Sequence, residues 1–195
     1  LGVFLLQISG TFQSVWAMSA VGALGFVLSI FTLPRLLPKG TFRLKRGIPA
    51  LVMTRLLMMG AVTGAEVVMP LLLQRIHGWS ANTASLAVTI ATLSWASGAF
   101  IQSQFKNRRV RLLLPKIGSC MIVIGLAPLS MLLNPSLPKW PVFIAWLLSG
   151  IGVGFTHSTI SDFTLGSTDP SMHGRASSWL QVADSAGAAV ELAFV

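Results

Sequence analysis

Charge is scarce in this chain. Asp, Glu, Lys and Arg make up 10% of its 195 residues, against roughly 25% in a soluble domain, and so small a share excludes water as the main solvent. Cysteine is represented by Cys120 alone, which excludes an intrachain disulfide and leaves the redox compartment open. The three histidines, His77, His157 and His173, have no His, Cys or carboxylate partner at ligand spacing, so no metal is expected. No nucleophile elbow, no P-loop and no glycine-rich turn behind a strand occurs, so neither enzymatic activity nor a cofactor is expected. An initiator Met and a signal peptide are also lacking. The chain starts at Leu1, stops at Val195 within an apolar run, and reads as an internal piece of a longer protein, so counting domains by length is unsafe.

What is present is hydrophobic. Apolar residues make up 53% of the sequence, and the mean hydropathy is +0.76. A bilayer core about 30 Å thick needs about 20 helical residues. Six segments qualify, at 16–33, 49–74, 83–103, 112–133, 140–162 and 176–195, the last of them incomplete. Residues 1–12 read as the tail of an earlier span, and Ser80 or Asn82 as the cap of the third. Barrel strands need strict alternation over about 10 residues, whereas runs such as Met121-Ile-Val-Ile-Gly-Leu126 are continuously apolar. The fold class is therefore an all-α membrane protein, a bundle of about six transmembrane helices. Gly150 and Gly154 form a small-xxx-small step suited to close helix packing, and Pro70 and Pro115 are positioned to kink or break their spans.

The cations are not scattered. Ten of the 14 Lys and Arg lie in two loops, 34–47 and 104–116. Loops after the first, third and fifth spans carry eleven Lys or Arg, the last being Arg175, against only Arg75 and Lys139 on the other side. The positive-inside rule places the first group in the cytoplasm of a multi-pass protein of the inner (plasma) membrane. Trp16, Trp79 and Trp140 then fall near the outer interface, where indoles prefer to sit. The net charge of +9 raises the question of nucleic acid. Because the basic residues lie between spans, they are read instead as setting topology and meeting anionic headgroups, and no nucleic-acid partner is expected.

Ionisable residues inside a bilayer are costly and mark function by default. Arg55 and Glu66 share the second span, about 20° apart on the helical wheel but about 16 Å apart along the axis, too far for an ion pair. Arg55 is near enough to the cytoplasmic end to snorkel as an interfacial anchor. Glu66 is deeper and shorter, and is suited to binding a proton, a cation or substrate. Asp184 and Glu191 share a face of the sixth span, with Asp184 near mid-membrane and Ser178, Gln181 and Ser185 as polar neighbours. His157 lies among Thr156, Ser158, Thr159 and Ser161 in the fifth span, where an imidazole can relay protons or make a structural hydrogen bond. Glu66, Asp184, Arg55 and His157 are the candidate substrate or proton-coupling residues. Asp162 and Asp169 read as helix caps or partners of Arg175.

The order of these features carries a resemblance. Gly64-Ala-Glu66-Val-Val-Met-Pro70 is followed by His77-Gly78-Trp79-Ser80, by a span ending in Ser94-Trp95-Ala-Ser-Gly98, and by the basic Lys106-Asn-Arg-Arg-Val-Arg111. Then come Gly150-Ile-Gly-Val-Gly154, Gly174-Arg175-Ala-Ser-Ser178 and Gln181-Val-Ala-Asp184-Ser-Ala-Gly187. Nearly the whole chain resembles most of the C-terminal half of a twelve-helix major facilitator superfamily transporter, of the bacterial drug-efflux type with proton antiport. The resemblance implies that the six spans are helices six to eleven. It further implies that residues 1–33 end the N-terminal half, 34–48 form the cytoplasmic linker, and 49–195 begin an incomplete C-terminal half. The loop after Gly98 resembles the second-half copy of the family's helix-two-to-three signature, with Gln102 where that signature has an acid. Glu66 and His157 would line the cavity, and Asp184 would sit near the moving interface. The implied partners are the bilayer, a small-molecule substrate, protons and the missing N-terminal half. The implied mechanism is alternating access. An importer of nutrients or metabolites is the alternative, since direction is not written in these residues. A non-transporting scaffold would pack Glu66 and Asp184 against other helices. An enzyme would need an acid, a base and a nucleophile in one cluster, which this stretch does not offer.

Overall fold

The structure, a computed structural model, describes Gly2, Leu5 and residues 14–192. Apart from Gly2 and Leu5, the span tail read over 1–12 lies outside the described residues, as do residues 193–195 and the Glu191 side chain. The described residues form helices and turns, with no strand. The helices are α1 (Val15–Leu36), α2 (Ile48–Arg75), α3 (Ala81–Gln104), α4 (Arg108–Leu126), α5 (Trp140–Gly166) and α6 (His173–Leu192). Alpha1, α2, α3, α4 with its 3-10 extension, and α5 are long and apolar enough to cross a membrane. Alpha6, which carries His173, Arg175 and Asp184 within 20 residues, is not among these five candidate spans.

Local chemistry sets the helix ends. Ser80 caps α3, its Oγ accepting the Thr83 N–H at 3.2 Å. Asn107 caps α4 in the same way, its Oδ1 accepting the Arg109 N–H at 2.9 Å. That cap corrects the reading of 104–116 as a loop, because Arg108, Arg109, Arg111 and Lys116 are helical and only a short connection remains. Cations in a first turn oppose the helix dipole, an effect limited to a few tenths of a kcal/mol up to about 1. Alpha1 runs through Pro34 to Leu36, past the expected end at 33. Pro70 and Pro115 lie inside unbroken helices. The fourth span does break, at Pro128, where the α-helix gives way to a 3-10 segment, Ala127–Leu133. A proline there removes an N–H and clashes with the preceding turn, and the tighter 3-10 geometry accommodates it.

The chain divides into two compact units, Leu1–Gly64 with Ser161–Val195, and Ala65–Ile160. In the first, α1 packs against α6, and α2 meets α6 where Gly60 faces Gly187. A Cβ on Gly60 would come within 3.1 Å of the Gly187 carbonyl oxygen. In the second, Ala65, Met69 and Leu73 of α2 form a buried core with Ala84, Ala87 and Ala91 of α3, and with Leu132, Val142 and Trp146. The buried Trp146 Nε1–H donates to the Ala87 carbonyl at 2.9 Å, so the indole is apolar on its faces and satisfied at its one donor. Trp79 stacks on Phe143 with ring centroids 5.6 Å apart, and His77 Nε2 donates to the Leu132 carbonyl at 2.8 Å.

The glycines of α5 let two neighbours approach it at backbone distance. Gly150 and Gly154 face α3, against Ser94 and against the Trp95 and Gly98 backbone, while Gly152 faces Gly118, Met121 and Ile122 of α4. The small-xxx-small step is a packing device, as its composition implied.

Candidate transport site

Arg55 lies two turns into α2 and is only 4% exposed. Its Nε donates to Asp184 Oδ1 at 2.7 Å and its Nη2 to Asp184 Oδ2 at 2.8 Å, the two parallel bonds of a fork-to-fork pair. Its Nη1 donates to Ser161 Oγ at 2.7 Å. All three residues belong to the first unit. The interfacial-anchor reading of Arg55 is thereby corrected: the guanidinium is turned inward because a carboxylate and a hydroxyl on α6 and α5 satisfy it more fully than a long reach to water. Asp184 likewise finds a cation on α2, a partner that its polar neighbours Ser178, Gln181 and Ser185 did not announce. In a low-dielectric setting the pair is close to neutral, whereas either charge alone would carry an uncompensated desolvation penalty.

Glu66 belongs to the second unit, adjacent in sequence to the buried Ala65 and three residues before the buried Met69. It is half-buried, and among the described residues it makes no hydrogen bond or ion pair. His157, in the same unit, is half-buried and stands edge-on to Trp95, with ring centroids 5.1 Å apart and planes at 67°. Two residues on, Thr159 is fully buried, and its hydroxyl has no hydrogen-bond partner among the described residues. This polar face of α5 is packed by an aromatic ring, a contact that the sequence reading missed.

Asp162 lies inside α5 and not at its end, which corrects its reading as a cap. Asp169 is a cap, accepting the Ser171 N–H at 2.9 Å and the Ser171 hydroxyl at 2.6 Å. Those two bonds, with His173 nearby, hold its carboxyl below the usual carboxylate range. Arg175 does not serve Asp169; its guanidinium lies over the Trp179 ring, 5.6 Å from the centroid.

The structure therefore joins two of the four candidates, Arg55 and Asp184, and adds Ser161 to them. Charge balance could have signalled the join. A buried arginine needs an anion, and Glu66, Asp184 and Glu191 are the only acids that the sequence reading put well within a span.

Comparison with known proteins adds one finding. A family model described as Major Facilitator Superfamily matches residues 1–190. No curated protein and no solved structure matches the chain. A match spanning nearly the whole length, over a chain of membrane-length helices, establishes that this chain belongs to the Major Facilitator Superfamily of membrane transporters.

Proposed function

We propose that the chain is part of a proton-coupled exporter of small amphipathic compounds, working by alternating access, with Glu66 as the group that binds the coupling proton or a cationic substrate. One observation supports this reading above the others: of the candidate carboxylates, Asp184 is already neutralised by Arg55, while Glu66 sits in a membrane-length helix with no cation assigned to it. A carboxyl in that position binds a proton reversibly or holds a positively charged guest, and a bilayer tolerates it best when it does one or the other. Alternating access then needs two bundles rocking about a midplane site, one of them supplied by a preceding helical half joined through residues 34–48. The basic segments 34–47 and 104–116 face the cytoplasm of the inner membrane in this reading, which fixes export as movement away from the side they occupy.

The test is transport by the parent protein in sealed vesicles under an imposed proton gradient. Accumulation driven by protons moving against the substrate is expected. Glu66→Gln, which keeps size and hydrogen bonding but cannot ionise, should abolish gradient-driven transport; a carboxyl that serves the proton alone leaves substrate exchange at zero gradient within about threefold, whereas one that holds a cationic substrate loses exchange as well. Undiminished gradient-driven transport by the variant would remove Glu66 from the coupling role. Substrate moving with the protons would replace export by import.

A further inference from the structure

The connection after α1 is a built turn. Leu37 and Thr41 are buried and hold it in place, and the Thr41 hydroxyl donates to the Pro38 carbonyl at 2.7 Å. Backbone N–H groups of Arg43 and Lys45 both donate to the Gly40 carbonyl, at 3.0 and 3.1 Å, and Leu44 N–H donates to Thr41 at 3.1 Å. Gly40 and Gly47 adopt φ of 96° and 94°, and the aliphatic stem of Lys45 lies over Gly40. Leu44 alone among the described non-glycine residues has positive φ, 50°, a left-handed conformation that disfavours branched side chains and that Asn tolerates better. Yet this strained position carries a leucine that is 62% exposed, beside Phe42 at 49%. Around them Arg35, Lys39, Arg43, Lys45 and Arg46 are all exposed, residues 34–47 contain no acid, and none of the five has an ion pair among the described residues. Strain maintained in order to display an apolar side chain among unpaired cations calls for a partner that is both oily and anionic.

We propose that segment 35–47 docks on anionic phospholipid, with Phe42 and Leu44 entering the headgroup–acyl boundary and its five cations binding lipid phosphates. A soluble polyanion would satisfy the charges and leave both apolar side chains in water; a neutral bilayer would satisfy the apolar pair and leave the cations unmatched. A leaflet rich in phosphatidylglycerol satisfies both at once. The general attraction of basic loops to such lipids does not account for the held turn or for the strained leucine.

The test places a nitroxide at Phe42→Cys in a Cys120→Ser background, with the chain reconstituted into vesicles of phosphatidylcholine or of phosphatidylcholine mixed with phosphatidylglycerol. In the anionic vesicles the label should gain collisions with oxygen and lose collisions with a water-soluble nickel chelate. Replacing Arg43, Lys45 and Arg46 by Gln should weaken the preference for the anionic lipid about fivefold per cation. Leu44→Asn relieves the backbone, so it should keep or raise the thermal midpoint in detergent while making the label shallower. Equal nickel accessibility in both lipids would overturn the proposal. So would an unchanged depth in Leu44→Asn, or the same shift produced by inorganic phosphate or an oligonucleotide in phosphatidylcholine alone.

Discussion

Arg55 is the residue on which the first unit most depends electrostatically. Three of its five N–H donors go to Asp184 and Ser161, so truncating it to Met takes the cation from a largely buried carboxylate. A broken buried pair of this kind costs about 3–5 kcal/mol, whereas removing both charges together is often neutral or better. Arg55→Met alone should therefore lower the thermal midpoint in detergent steeply, and Arg55→Met with Asp184→Leu should recover most of the loss. A double variant as unstable as the single one would show that the pair contributes more than mutual neutralisation. Asp169 offers a milder residue-scale prediction. Its carboxyl is held below the free-side-chain value by the Ser171 hydroxyl and N–H and by His173. Because the folded value is the lower one, the cap is at full strength above the free value of about 3.9 and is lost as pH falls through the folded value. The protection factor of the Ser171 amide should hold from neutral pH down to the free value, then collapse below it, and Asp169→Asn should flatten that profile.

The helices themselves were legible in the sequence because membrane-length apolar runs are a strong signal, and all six appear within a few residues of their expected positions. Their ends were less legible, for identifiable reasons. The first span was expected to end at 33, but a proline in the last turn frees only one earlier carbonyl, and the helix runs through Pro34 to Leu36. The basic run after Asn107 reads as loop by charge, but the asparagine cap starts a helix there. Contacts between helices follow from glycine spacing more than from hydrophobicity, since apolar residues lie on the exposed as well as the buried sides of these helices. Gly154 shows how tight those contacts are: a Cβ there would press into the α3 backbone at Trp95 and Gly98. Gly154→Ala should cost about 1–3 kcal/mol through forced helix displacement. Gly174→Ala, in a helix and with nothing near its missing Cβ, should stabilise by up to about 1 kcal/mol. Thermal midpoints of the two variants in one detergent give the comparison, and a neutral Gly154→Ala would mean that α5 and α3 have room to separate.

At the scale of the whole molecule, solvent and topology decide. Phe31, Leu93, Phe100 and Val123 are among many large apolar side chains left exposed, an arrangement that would aggregate in water and is ordinary in hydrocarbon. The same fact explains why the candidate site was only half legible. In a chain this poor in charge each ionisable residue stands out, so Arg55, Glu66, His157 and Asp184 could be picked from the sequence. Which of them pair depends on contacts between distant segments, and the reading of Arg55 against Glu66 followed one helix when the partner lay on another. Sidedness is the remaining property that belongs to the chain as a whole. If α2 and α3 both cross a bilayer, the even number of helices between residues 34–47 and the basic start of α4 returns Arg43 and Arg109 to one side of it, and the proposed topology takes that cation-rich side as cytoplasmic. Single cysteines at Arg43 and Arg109, each in a Cys120→Ser background, should both resist a membrane-impermeant maleimide applied to intact cells, and both react once the membrane is opened. A cysteine at Lys139, which follows one more span, should react from outside. Labelling of Arg43→Cys and Arg109→Cys from opposite sides would mean that α2 or α3 does not cross, and the transporter reading of the intervening helices would go with it.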